Sequence, residues 1–137
     1  MDQGFSLEEV IRYIPILLEF LPVTLGIFAG AAIIGCVAGI LLALVRIHRL
    51  PGLRQLAALL VSYTRGTPVL VQLMLMYYVL PGFLVPFGLQ GRDLPATGFV
   101  VAAYGLYMGA NISEILRGAA AAVPRGQIEA AFSLGMS

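Results

Sequence analysis

Residues 21–45 read LPVTLGIFAGAAIIGCVAGILLALV, twenty-five positions without a charged side chain. About 20 apolar residues cross a hydrocarbon core about 30 Å thick, so this stretch can span a bilayer with room for tilt. Lipid offers backbone groups no partner, so a single spanning segment must be helical. Gly26/Gly30 and Gly35/Gly39 are small residues four apart, a spacing that lets another helix approach closely. The composition agrees. The 137-residue chain is 60% hydrophobic and 11% charged, against about 25% charged in a soluble domain. Its mean hydropathy is +0.96. These features predict an all-α integral membrane protein.

Upstream of that span, Leu7, Val10, Ile11, Ile14, Leu17 and Leu18 repeat at helical spacing, and Ser6 with Glu9 fits a capping box. Pro15 is expected to break or kink this helix. Residues 1–19 therefore read as a membrane-adjacent segment. The polar side there carries Glu8, Glu9 and Glu19, which is neither a signal-peptide n-region nor a face that attracts anionic lipid.

Downstream, Arg46, His48, Arg49 and Arg54 crowd a short loop around Pro51-Gly52. Such clusters mark the cytoplasmic side, which places the N-terminus outside. His48 beside three arginines reads as a solvated loop residue and Cys36 as apolar filler. One histidine and one cysteine supply no metal-ligand spacing. All eight basic residues are arginine, so a Walker A phosphate loop, which needs lysine, is excluded.

Two further spans follow. Arg65-Gly66-Thr67-Pro68 interrupts an apolar run, and an arginine at mid-bilayer is costly. The second crossing is therefore expected at 66–87, with its helix starting earlier. Gln72, Tyr77 and Tyr78 lie in it and can either face a solute path or bond between helices. Gln90-Gly91-Arg92-Asp93 reads as an outer loop and 97–116 as the third span. Asn111 and Glu114 share a face there, with Ser113 beside them. A carboxylate at that depth needs a proton, a partner or water, and Arg117 three residues on is the natural partner. Arg46, Arg49, Arg54, Arg117 and Arg125 then fall inside and Arg12 and Arg92 outside, so the C-terminus is inside.

Residues 124–134 form the remaining element. Pro124 can open a helix and Gly135 can close one. Ile128, Ala131 and Phe132 make an apolar stripe, with Arg125, Gln127 and Glu129 off it. Such a helix can cap the bundle, lie on lipid or offer a face to a soluble partner. No catalytic set is credible: His48 is remote from Ser62 and Ser113, and Asp93 and Glu114 fall on opposite sides. Topology explains the arginines better than nucleic-acid binding does. Transport, a scaffold, or a small three-span lytic or regulatory protein without an ATPase partner remain.

Several spaced motifs narrow this choice. Glu129-Ala130-Ala131, three residues, then Gly135 is similar to the signature loop of bacterial ABC importer permeases. Arg117-Gly118 and Val123-Pro124-Arg125-Gly126-Gln127 resemble the polar amino acid permeases that import histidine, glutamine, arginine and similar solutes. So do Arg65-Gly66-Thr67-Pro68 with Val69-Leu70-Val71-Gln72, Thr24-Leu25, and Ala43-Leu44-Val45-Arg46. The match covers residues 20–137, read as a permease domain incomplete at its C-terminal end, since such permeases continue through further spans. The resemblance implies a bacterial inner-membrane subunit whose coupling helix docks in a cytoplasmic ABC ATPase dimer through Arg125, Gly126, Gln127, Glu129, Ala130, Ala131 and Gly135. It implies a second permease subunit, itself or a sister, and an extracytoplasmic solute-binding protein. ATP and magnesium would be bound by the ATPase, leaving this chain without a cofactor. Gln72, Tyr77, Tyr78, Asn111 and Glu114 are the candidate solute-path residues.

Overall fold

The computed structural model describes residues 7–88 and 95–136, the side chains of residues 7–10, Phe87 and Ile128 excepted. The Ser6 capping box, the outer loop at 90–93 and the Ile128 side chain lie outside the described residues.

Helix α1, Leu7–Ile47, is one element of 41 residues. At 1.5 Å per residue it is about 60 Å long, roughly twice the hydrocarbon thickness. The break expected at Pro15 does not occur, and Pro22 is also inside the helix. Each proline forfeits a hydrogen bond, but the helix runs on through both.

At the second interruption the chain does break. Helix α2, Leu53–Gly66, and helix α3, Val69–Leu84, meet at a bend of 111°. Pro68 has no N–H and disfavours helical backbone at the residue before it. Thr67 accordingly adopts φ −110°, ψ 132°. The broken ends are satisfied locally: Thr67 Oγ1 donates to Tyr63 O at 2.8 Å, and Gln72 Nε2 donates to Thr64 O at 2.5 Å and Thr67 O at 2.9 Å. The second crossing therefore begins after the bend rather than continuing a straight helix. α3 includes a π-helical segment, Leu75–Val79, and runs into a 3-10 turn, Val85–Phe87.

Helix α4, Ala96–Ala122, is the third element long and apolar enough to contribute a span. α1 and α4 each qualify alone, and α2 with α3 makes one broken span. α1 and α4 pack along small residues. A Cβ at Gly35 would sit 2.7 Å from Met108 Cβ, and one at Gly39 2.7 Å from Ile112 Cγ2 and 2.9 Å from Gly109 O. Reciprocally, a Cβ at Gly105 would lie 2.9 Å from Ile34 Cγ2, and one at Gly109 3.2 Å from Ala38 Cβ. Without a water-driven hydrophobic effect between helices, contact of this closeness is the main attraction available. Gly30 faces Val101, whereas Gly26 faces open space. Ala31, Ala43, Ala103 and Ala110 complete a core of small side chains. Large apolar residues cover the outside, as lipid-facing surfaces require.

Helix α5, Arg125–Ser133, follows α4 after only Val123 and Pro124. Pro124 takes φ −64°, ψ 138° at its N-cap.

Candidate functional site

Three charged side chains tie α1 to α4. Glu114 is 22% exposed and Arg46 14%. Arg46 Nη1 donates to Glu114 Oε2 at 2.8 Å. Arg117, one helical turn beyond Glu114, donates from Nε to Glu114 Oε1 at 2.9 Å and also from Nη2 to the same oxygen. Both carboxylate oxygens are thus used. Arg117 was legible from its spacing; Arg46, 68 positions away in sequence, was not. Arg46 ends the first span and Glu114 lies near the end of the third, so the residues that mark the same boundary also meet.

Two cavities flank this clasp and share Arg46 and Ala58. One, of about 490 Å³, is lined by Arg46, Arg49, Arg54, Arg117 and neighbouring alanines. The other, of about 330 Å³, is lined by Arg46, Ser62, Arg65, Gly66 and Glu114. Arg65 and Gly66 therefore stand beside the clasp, while Thr67 and Pro68 form the bend.

The candidate path residues do not form one cluster. Gln72 is 3% exposed, and its amide nitrogen caps the end of α2. Asn111 Nδ2 donates to Tyr107 O in its own helix at 2.8 Å. Tyr77 and Tyr78 lie in the π-helical segment, and both are exposed. The Tyr77 ring meets Tyr78 edge-on at 5.0 Å and Phe99 at 5.9 Å. π-Segments recur at functional sites because they re-aim side chains within a helix. Thr64 Oγ1, Gln72 Oε1 and Ser113 Oγ are buried without a hydrogen-bond partner.

α5 is nearly uncovered. Arg125, Gly126, Gln127, Glu129 and Ala130 are exposed and only Ala131 is partly shielded. Phe132, Leu134 and Met136 are exposed apolar side chains. Its end is built by Gly135, whose φ of +77° is left-handed. Gly135 N–H donates to Phe132 O at 3.0 Å and Met136 N–H to Ala131 O at 3.1 Å. This pair of bonds is a Schellman motif, which glycine completes at least steric cost. Ser133 Oγ donates to Glu129 O at 2.9 Å. Among the described residues no three His, Cys, Asp or Glu side chains cluster as metal ligands do.

Fold and site define a multi-pass helical membrane protein whose polar groups secure helix ends and whose last described helix stands free for contact. The chain belongs to the family of binding-protein-dependent transport system inner membrane components, whose family model matches residues 23–137. It is 36% identical over 137 residues to the L-cystine transport system permease protein TcyL of Bacillus subtilis, spanning 100% of this chain and 57% of that one. It is 38% identical over 136 residues to the arginine transport system permease protein ArtQ of the same organism, covering 99% and 58%. The glutamate/aspartate import permease protein GltK of Escherichia coli is 31% identical over 134 residues, at 97% and 60% coverage. A crystal structure of an amino acid ABC transporter with histidines superposes with a TM-score of 0.79 at 32% identity, over 98% of this chain and 60% of that one. The chain thus spans somewhat more than half the length of the relatives it matches. These likenesses give no support to a small lytic or regulatory protein.

Proposed function

We propose that this chain forms part of the transmembrane permease of an ATP-driven importer for amino acids, with α5 as the coupling helix. The observation that carries the reading is α5 itself: a nine-residue helix, capped by Pro124 and Gly135, with almost every described side chain free. An element so ordered and so little covered is suited to being held by something else. Val123 and Pro124 are a short and stiff connection, so a push on α5 reaches α4 with little slack. The Glu114 clasp then passes it to α1 through Arg46. The relatives, named for cystine, arginine and glutamate/aspartate, support an amino acid as the solute.

On this reading the arginine-rich end is cytoplasmic and the N-terminus is outside, following the positive-inside rule. A cytoplasmic ATPase dimer binds ATP and magnesium and grips α5. A second permease subunit completes the path, and an extracytoplasmic protein delivers the solute. Glu129 and Arg125 offer charged contacts to the ATPase, and Gly126, Ala130 and Ala131 allow close approach. Tyr77 and Tyr78 are the exposed aromatic side chains best placed to meet solute, because Gln72 and Glu114 are already engaged in bonds within the chain.

Co-purification with the ATPase tests the reading. Glu129→Ala and Gly135→Val should each reduce the ATPase recovered with the permease, while Gly26→Ala should not. Full recovery with both α5 variants would refute the coupling role.

A further inference from the structure

The π-helical segment of α3, Leu75–Val79, has no part in the coupling reading, and a cause for it stands just beyond it. Leu80 N–H donates to Leu75 O, five residues back rather than four. In an uninterrupted α-helix Tyr77 O would accept from the residue at 81, which is Pro81. Proline has no N–H to give, and its ring clashes with the carbonyl four residues before it. A wider turn relieves that clash by inserting one extra residue. The α-helical segment that follows, Leu80–Leu84, has Pro81 in its first turn, where no N–H is needed. α1 carries Pro15 and Pro22 without such a segment, so a proline ring alone does not dictate one. What sets Pro81 apart is that the helix restarts around it.

This slip in register sets where the aromatic side chains point. Upstream, α3 is pinned, because buried Gln72 holds Thr64 O and Thr67 O through its amide nitrogen. Within the segment, the Tyr77 ring rests edge-on against Phe99 of α4, while Tyr78 is 74% exposed. Downstream, little holds the chain: a Cβ at Gly82 would meet nothing within 4 Å, and Phe83 and Val85 are exposed. Removing the extra residue would therefore turn the downstream part. At 3.6 residues per turn the rotation is about 100°, and it would swing Tyr78 off its present direction.

We infer that Pro81 is a positioning residue for the solute path: it holds the π-helical segment, and through that segment the direction of the Tyr78 ring. Pro81 acts through the backbone alone. The inference rests on the reading of Tyr77 and Tyr78 as solute contacts.

Two measurements test it, one of geometry and one of uptake. In a Cys36→Ser background, spin labels at Phe83→Cys and Ile33→Cys report the distance between α3 and α1. Pro81→Ala should shift that distance by up to about 8 Å, the displacement of a side chain turned about 100° on a helix about 11 Å across. Pro81→Ser also restores the N–H and should give the same shift, so the result does not hang on one variant folding. Pro15→Ala should leave the distance unchanged. In the assembled importer, uptake of radiolabelled arginine, cystine and glutamate is then measured. Both Pro81 variants should raise KM about two- to tenfold, the scale of one aromatic contact, with the maximal rate unchanged. Tyr78→Ala should raise KM similarly, and adding Pro81→Ala to it should raise KM no further, because the two changes remove one contact. An unchanged distance, an unchanged KM in the Pro81 variants, a fall in maximal rate alone, or additive effects in the double variant would overturn the inference and leave the solute reading standing. An unchanged KM in Tyr78→Ala, or no uptake of any of the three amino acids, would overturn that reading and the inference with it.

Discussion

Gly39→Ala is the sharpest probe of how the bundle is held. The new methyl would lie 2.7 Å from Ile112 Cγ2, 2.8 Å from Ile112 Cβ and 2.9 Å from Gly109 O. Ordinary carbon contacts sit at about 3.5–4.0 Å, so α1 and α4 must separate by roughly 0.7 Å or more. Two of the three atoms are backbone or fixed directly to it and cannot swing aside. Overpacking of this kind costs about 1–3 kcal/mol. Alanine returns up to ~1 kcal/mol through helix propensity, which obscures the raw change. Gly26→Ala removes that ambiguity, because nothing lies within 4 Å of its added Cβ. The difference between the two variants isolates the overpacking and should be about 1–3 kcal/mol. Equilibrium unfolding in mixed micelles, titrated with a denaturing detergent, measures it. Adding Ile112→Ala to Gly39→Ala should recover part of the loss relative to Ile112→Ala alone, with a coupling of about 0.5 kcal/mol or more. Recovery is partial because Gly109 O remains in the way. A Gly39→Ala protein as stable as Gly26→Ala would refute the argument that these glycines set the helix separation.

Other perturbations follow from the same geometry. Glu114→Gln leaves two guanidinium groups without a counter-charge, and partial exposure limits the loss to about 1–2 kcal/mol; the same unfolding assay reads it. Arg46→Gln should cost more than Arg117→Gln, because Arg46 is 14% exposed, Arg117 is 43% exposed, and only Arg46 joins two helices. Pro68→Ala restores an N–H and lifts the restriction on Thr67, so spin labels on α2 and α3 should report a smaller bend than 111°. Gly135→Ala puts a Cβ on left-handed backbone at a cost of about 1–2 kcal/mol, so hydrogen exchange at Gly135 and Met136 should rise while α4 is unchanged.

The elements legible in the sequence were those whose cause is local. The run from Leu21 to Val45 had no alternative to a helix in lipid. Pro124 and Gly135 bracketed α5 because caps act within one turn. Two prolines behave differently: the expected interruption at Pro68 occurs and the expected break at Pro15 does not. Pro68 ends a helix because Thr67 and Gln72 satisfy the freed carbonyls. Pro15 lies inside an unbroken helix. At Pro68 the available signal was Gln72, four residues on. Arg46–Glu114 and the glycine contacts depend on which faces of α1 and α4 meet. Gly26/Gly30 and Gly35/Gly39 looked equivalent, yet Gly26 lies off the contact; Gly105 and Gly109 carried the same four-residue spacing and complete the interface.

The proposed coupling role requires α5 to face the cytoplasm. In a Cys36→Ser background, Gln127→Cys can be exposed to a membrane-impermeant maleimide in intact cells and in inverted membrane vesicles. Labelling in inverted vesicles alone is the predicted result. Labelling of intact cells would place α5 outside, beyond reach of any cytoplasmic motor, and contradict the account.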